Sequence, residues 1–121
     1  MARLRSDFWV AAHLRRCATE DVDAVLRRRG AAEAGAIFVK VDLLDGMASL
    51  YGPAPQALVG ESGTGRLFAP VLLARSAADI EERMRREARF DSDLWLLEIE
   101  DRRGRHFLDF AEDEEEEGGQ R

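Results

Sequence analysis

His13 and Cys17 stand four residues apart in the segment Phe8-Trp9-Val10-Ala11-Ala12-His13-Leu14-Arg15-Arg16-Cys17. An imidazole beside a thiol can generate a nucleophilic thiolate, and the same pair can ligate zinc. The segment alternates, with Phe8, Val10, Ala12 and Leu14 on one side and Trp9, Ala11, His13 and Arg15 on the other, so Asp7 to Arg16 reads as a strand. Four residues of strand span about 13 Å, too far for one ion to hold both side chains without a bend. The expected roles are therefore a small core thiol and a structural histidine. As the sole cysteine, Cys17 can form no internal disulfide, and nothing points to an oxidising compartment.

A second constellation joins Arg105 and His106 to Glu98, Glu100 and Asp101, the ingredients of general acid–base catalysis or a carboxylate-rich metal site. Facing each other across a hairpin, these residues are also ordinary opposite-charge pairs on a solvated face, which is the expectation taken here. Arg102, Arg103 and Arg105, with Arg15 and Arg16 as neighbours, can grip a phosphate or an acidic partner. Tyr51, followed by Gly52-Pro53-Ala54-Pro55, reads either as a strand end or as a rigid aromatic turn suited to binding. Arg15, Arg16, Tyr51, Arg102, Arg103, Arg105 and His106 thus make up the candidate interaction patch. Gly60-Glu61-Ser62-Gly63-Thr64-Gly65 imitates a phosphate-binding loop, but Arg66 stands where its Lys belongs and Leu67 where its Ser or Thr belongs. The segment that follows reads as a strand containing Pro70, so the helix N-terminus that such a loop needs is missing as well.

These side chains must be carried by 121 residues, a length that fits one domain over 1–110 followed by a tail over 111–121. The tail holds six acids, Glu112 to Glu117 with Asp113 among them, against Arg121, and reads as a disordered acidic segment. It accounts for −5 of the net charge of −6, leaving −1 on the body. A nearly neutral body argues against a non-specific DNA binder, whose affinity comes from many contacts to phosphates. No apolar stretch is long enough for a signal peptide or a membrane span, so the expected location is the cytoplasm.

The elements follow from turn chemistry and periodicity. After the strand at Asp7–Arg16, Thr19 can cap a helix with Glu20 and Asp21 in its first turn, a Val22, Val25, Leu26 stripe, and Arg27 to Arg29 before Gly30. Ala36 to Leu43 alternates as a strand, and Asp45-Gly46 signals a type I′ hairpin into Met47–Tyr51. Leu67 to Ala74 reads as an edge or bulged strand because Pro70 lacks a donor. Ser76 with Asp79 caps a second helix bearing Ile80, Met84 and Ala88 on its apolar stripe. On its exposed face Asp79, Glu81 and Glu82 can pair with Arg83, Arg85 and Arg86. Leu94–Glu100 is a strand, and the turn at Asp101–Gly104 returns the chain through His106 to Phe110 as another. The order β, α, β, β, β, α, β, β predicts an α+β fold: a mainly antiparallel sheet of five to six strands with two helices on one face, a two-layer sandwich akin to split βαβ.

The Phe8–Cys17 segment, Gly35-Ala36-Ile37-Phe38-Val39-Lys40-Val41 with Leu50-Tyr51-Gly52-Pro53-Ala54-Pro55, and Phe90-Asp91-Ser92-Asp93-Leu94-Trp95 through Gly104-Arg105-His106-Phe107-Leu108-Asp109 resemble a family of short alphaproteobacterial proteins known only as a domain of unknown function. The resemblance covers nearly all of the body and implies no reaction, cofactor or catalytic residue. The leading expectation is a non-catalytic module that binds a protein partner or itself through a sheet edge or the Arg-bearing hairpin, with no cofactor and no metal. The alternatives are an enzyme or small-molecule binder using His13, Cys17 or His106, and an RNA binder using the Arg clusters.

Overall fold

The structure is a computed structural model that describes residues 4–55 and 65–111. The elements run α1 (Ser6–Thr19), β1 (Asp23–Arg28), β2 (Ile37–Asp42), β3 (Met47–Pro53), β4 (Phe68–Ser76), α2 (Ala77–Phe90) and β5 (Trp95–Glu100). The strands form one sheet in the order β1-β5-β2-β3-β4. Central β2 and β5 are parallel, with Val39 opposite Leu97, and every other neighbouring pair is antiparallel. The α+β class and the mostly antiparallel sheet stand as expected.

The two helices lie on opposite faces of the sheet, which corrects the expected one-face, two-layer arrangement. Ile37, Val39, Val41, Leu97 and Ile99 pack with Val10 and Cys17 of α1, whereas Phe38, Leu50 and Leu96 pack with Ile80 and Met84 of α2. The physical reason is legible in β2 itself: its apolar residues are nearly consecutive, the pattern of a strand buried on both sides.

Residues Asp7–Arg16 are helical, not extended. The buried positions Ser6, Val10, His13 and Cys17 recur at helical spacing, but two of the four are polar and Phe8 faces solvent, so the stripe is masked. Ala11, Ala12, Leu14 and Arg15 are good helix formers. The N-terminus carries no side-chain cap; instead the amides of Ser6 and Asp7 donate to the carbonyls of Glu33 and Ala32 at 3.2 and 2.9 Å. The expected helix at Thr19–Gly30 is likewise replaced by a turn and strand β1. Thr19 donates its hydroxyl to the Arg15 carbonyl at 2.9 Å, closing α1 instead of opening a new helix. Val22 is buried and Ala24 and Leu26 are half-buried beside it, so the true period is two.

The hairpin sits where expected, but its loop has three residues, Leu44-Asp45-Gly46, closed by the Leu43 amide donating to the Met47 carbonyl at 3.0 Å. Leu44 and Gly46 take φ values of 63° and 90°, so this is not the two-residue type I′ turn. Ser76 caps α2 by accepting from the Asp79 amide at 3.1 Å. The ion pairs along α2 differ from those expected: Arg83 meets Glu87, Arg85 meets Glu82, and Glu81 turns toward the sheet. The segment from Arg105 to Phe110 is not a sixth strand; only a single bridge joins Phe110 to Phe68. The loop imitation at Gly60–Thr64 and the acidic run from Glu112 lie outside the described residues.

Candidate functional site

Both histidines meet in one aromatic cluster on the α1 side of the sheet. His13 donates Nε2–H to the His106 carbonyl at 2.9 Å and stacks on Trp9 at 4.5 Å between ring centres. His106 Nδ1 accepts the Leu108 amide at 2.9 Å, and its ring packs against Tyr51 at 4.8 Å and Phe110 at 4.9 Å. These bonds define the tautomers: the proton of each ring sits on Nε2. Burial pushes both imidazoles below their ordinary pKa, reinforced at His13 by nearby Arg16 and at His106 by His13 itself, while the His106 carbonyl and Asp109 pull His13 back up.

Cys17 lies on the same helical face as His13, fully buried, and burial raises its thiol pKa. A thiol held protonated in the core is a poor nucleophile. His106 and Glu98 lie on opposite faces of the sheet: Glu98 faces Lys40 and α2, whereas His106 packs with Tyr51 on the α1 side.

The interaction patch expected from sequence is only partly assembled. Arg16 lies 5.2 Å over the Phe107 ring, and Arg105 senses the charge of Glu20, so the end of α1 and the 105–107 segment do adjoin. Tyr51 is buried rather than presented. Arg105 folds back on Asp101, its guanidinium donating at 2.8 and 3.0 Å, and this holds the Asp101 carboxyl at about 2. Arg15, Arg102 and Arg103 remain exposed.

Sequence reasoning missed a four-residue ionic cluster on the α2 side. The ammonium of Lys40, buried in the middle of β2, donates to Glu81 at 2.8 Å and lies 3.6 Å from Glu98. Arg27 of β1 bridges the same two carboxylates. These contacts push the Arg27 pKa up and hold Glu81 at about 2. The signal was a lone Lys inside an apolar strand, since such a charge needs a partner. Asp42, Glu98 and Glu100 also bring carboxylate oxygens within 4.8 Å of one another, but Glu98 is already held by Arg27 and Lys40.

The two sheet edges are finished differently. At β4 the Phe68 amide donates to Asp109 and the Ala111 amide to Phe68, so the 109–111 segment covers the start of the strand. Pro70 offers no donor there, and the register against β3 slips twice. At the other edge, β1 pairs with β5 alone among the described residues, and Val25 on it is 57% exposed. A bulge between Leu26 and Arg28 inserts Arg27, which turns Arg27 and Arg28 together toward α2. Beside them runs a shallow groove of about 250 Å³, floored by Met84, Ala88 and Leu96 and flanked by Arg85 and Glu81.

No helix of the described residues is long and apolar enough to cross a membrane. No curated protein matches the chain. Solved structures share its fold and much of its sequence, among them these two. A protein of A. tumefaciens solved in solution is 41% identical over 82% of this chain and 86% of its own, with a TM-score of 0.72. The crystal structure of a DUF1491 family protein from Caulobacter crescentus is 38% identical over 88% of this chain and 94% of its own, with a TM-score of 0.73. The model of that family, a protein of unknown function, matches residues 4–109, which take in α1, all five strands and the histidine cluster. On that match across nearly the whole described body, the chain belongs to the DUF1491 family.

Proposed function

We propose that the protein is a non-catalytic interaction module that takes an extended segment of a partner protein along the edge of β1. The observation that carries this reading is the asymmetry of the two edges: β4 is covered at its start by Asp109–Ala111, interrupted by Pro70 and twice slipped in register, while the β1 edge has no such cover among the described residues. An edge strand offers a row of backbone donors and acceptors to which an extended chain can add. The remaining candidates for chemistry support binding rather than turnover. Cys17 is enclosed, both histidines are engaged through ring nitrogens, and Arg105 is committed to Asp101.

Affinity capture from the source cells with the full chain tests the reading, comparing wild type, Val25→Lys and Leu73→Lys. Val25 and Leu73 are equally exposed, 57% and 55%, on opposite edges, so the second variant controls for added charge. A Lys on an edge strand discourages strand addition. The expected result is a partner retained by wild type and Leu73→Lys and lost by Val25→Lys; retention by all three contradicts the proposal.

A further inference from the structure

Resting on the β1-edge reading, we infer that the segment taken there is acidic, and that one of its carboxylate side chains seats in the groove between β1 and α2. Ordinary strand geometry sends successive side chains to opposite faces, so Arg27 and Arg28 should diverge. The bulge cancels that alternation: Leu26 faces Leu97, Arg28 faces Leu96, and Arg27 is the additional residue between them. Both guanidiniums therefore line the α2 side, beside the open edge.

Their electrostatic states differ. Arg27 is neutralised by Glu81 and Glu98. Arg28 donates to a neutral acceptor, the Ser92 carbonyl at 3.2 Å, which leaves its positive charge for a ligand. Arg85 approaches from α2, paired with the exposed Glu82 on its outer side. An incoming strand hydrogen-bonded to β1 would lay every second side chain over this face. A carboxylate there meets Arg28 and Arg85, while its methylene stem covers Met84, Ala88 and Leu96. A Lys at the same place would face the uncompensated charge of Arg28, with Arg85 beside it already balanced by Glu82. The groove thus selects an extended segment with an acidic side chain among apolar or β-branched neighbours.

The test uses three series of short synthetic peptides of alternating Val and Thr, carrying Glu, Gln or Lys at the central position, titrated into the isotope-labelled full chain while amide resonances are followed. The Glu series should shift amides of β1 and of Met84 and Ala88, and bind about ten-fold tighter than the Lys series. The double variant Arg28→Glu, Arg85→Glu should reverse that preference, and because both side chains lie on the surface its fold can be checked from the unshifted core resonances. Equal shifts at β1 from all three series overturn the acid preference while leaving the edge reading intact. No shift at β1 from any series overturns this inference, and joined to unchanged capture by Val25→Lys it removes the edge reading too. Shifts at β1 that follow protein concentration without peptide identify a second copy as the occupant and also overturn it.

Discussion

His13 Nε2–H and the His106 carbonyl, 93 residues apart in sequence, meet at 2.9 Å and fasten the segment after β5 to helix α1. That fastening holds Asp109 to Ala111 against Phe68, so one side-chain contact in α1 helps cover the start of the β4 edge, whereas β1 has only β5 beside it among the described residues.

The histidine cluster predicts a pH dependence of stability. His106 must be neutral for Nδ1 to accept from Leu108, and both imidazoles titrate below their ordinary value because of burial. With the folded values below the unfolded ones, the unfolded chain binds protons first as the pH falls. The stabilisation is complete above about 6.5 and is lost as the pH drops from there through the folded values. The urea midpoint should fall between pH 8 and pH 5.5, and His106→Asn, which keeps an acceptor for Leu108 but no titrating ring, should flatten that fall. An unchanged pH slope in the variant contradicts the assignment.

Glu81 anchors the ionic cluster through Lys40, so Glu81→Gln should destabilise by about 2 kcal/mol, reduced from the cost of breaking a fully enclosed pair because Glu81 and Arg27 are partly open. Lys40→Met removes the buried charge itself and should cost less than Glu81→Gln. Chemical denaturation ranks the two, and the opposite order refutes this view of the cluster. The carboxylate's contribution is present above its ordinary 4.5 and lost as the pH falls through about 2, an acid window separate from that of the histidines.

How much of this was legible in the sequence depends on which forces set each segment. Ile37–Asp42, the hairpin after it, Trp95–Glu100 and the Ser76-capped helix are governed by local pattern and turn chemistry, and they fold where those signals place them. The first thirty residues do not. The buried face of α1 includes Ser6 and His13, which earn their places by bonding to Gly35 and His106, contacts that no local window contains. In β1 the charges that resemble helix-end charges serve other ends: Arg27 reaches Glu81 and Glu98 across the sheet. The candidate patch rests on residue type alone, which shows neither the burial of Tyr51 nor the pairing of Arg105 with Asp101.

Gly30 is tied to close backbone approach. A β-carbon there would lie 2.2 Å from the Asp93 carbonyl oxygen and 2.6 Å from Leu94, both backbone atoms that cannot swing away. Gly30→Ala should therefore cost about 2–3 kcal/mol. At Gly46 the space is open and only the positive φ opposes a side chain, so Gly46→Ala should cost about 1 kcal/mol. Thermal or denaturant unfolding of the two variants checks the difference, and equal losses contradict the packing argument.

Enclosure of Cys17 predicts that iodoacetamide at neutral pH leaves the native chain unmodified and labels it quantitatively once it is unfolded. Mass spectrometry reads the result directly. Native labelling at the rate of a free thiol would show a thiol that is open and ionised, and with it a case for chemistry at that site.

The β1 edge itself is tested most directly by placing the photo-crosslinking residue p-benzoylphenylalanine at position 25, or at position 73 on the other edge, in the full chain inside the source cells. The expected result is a partner adduct from position 25, mapped by mass spectrometry to an extended acidic segment, and none from position 73. Adducts from position 73 with none from position 25 would contradict it.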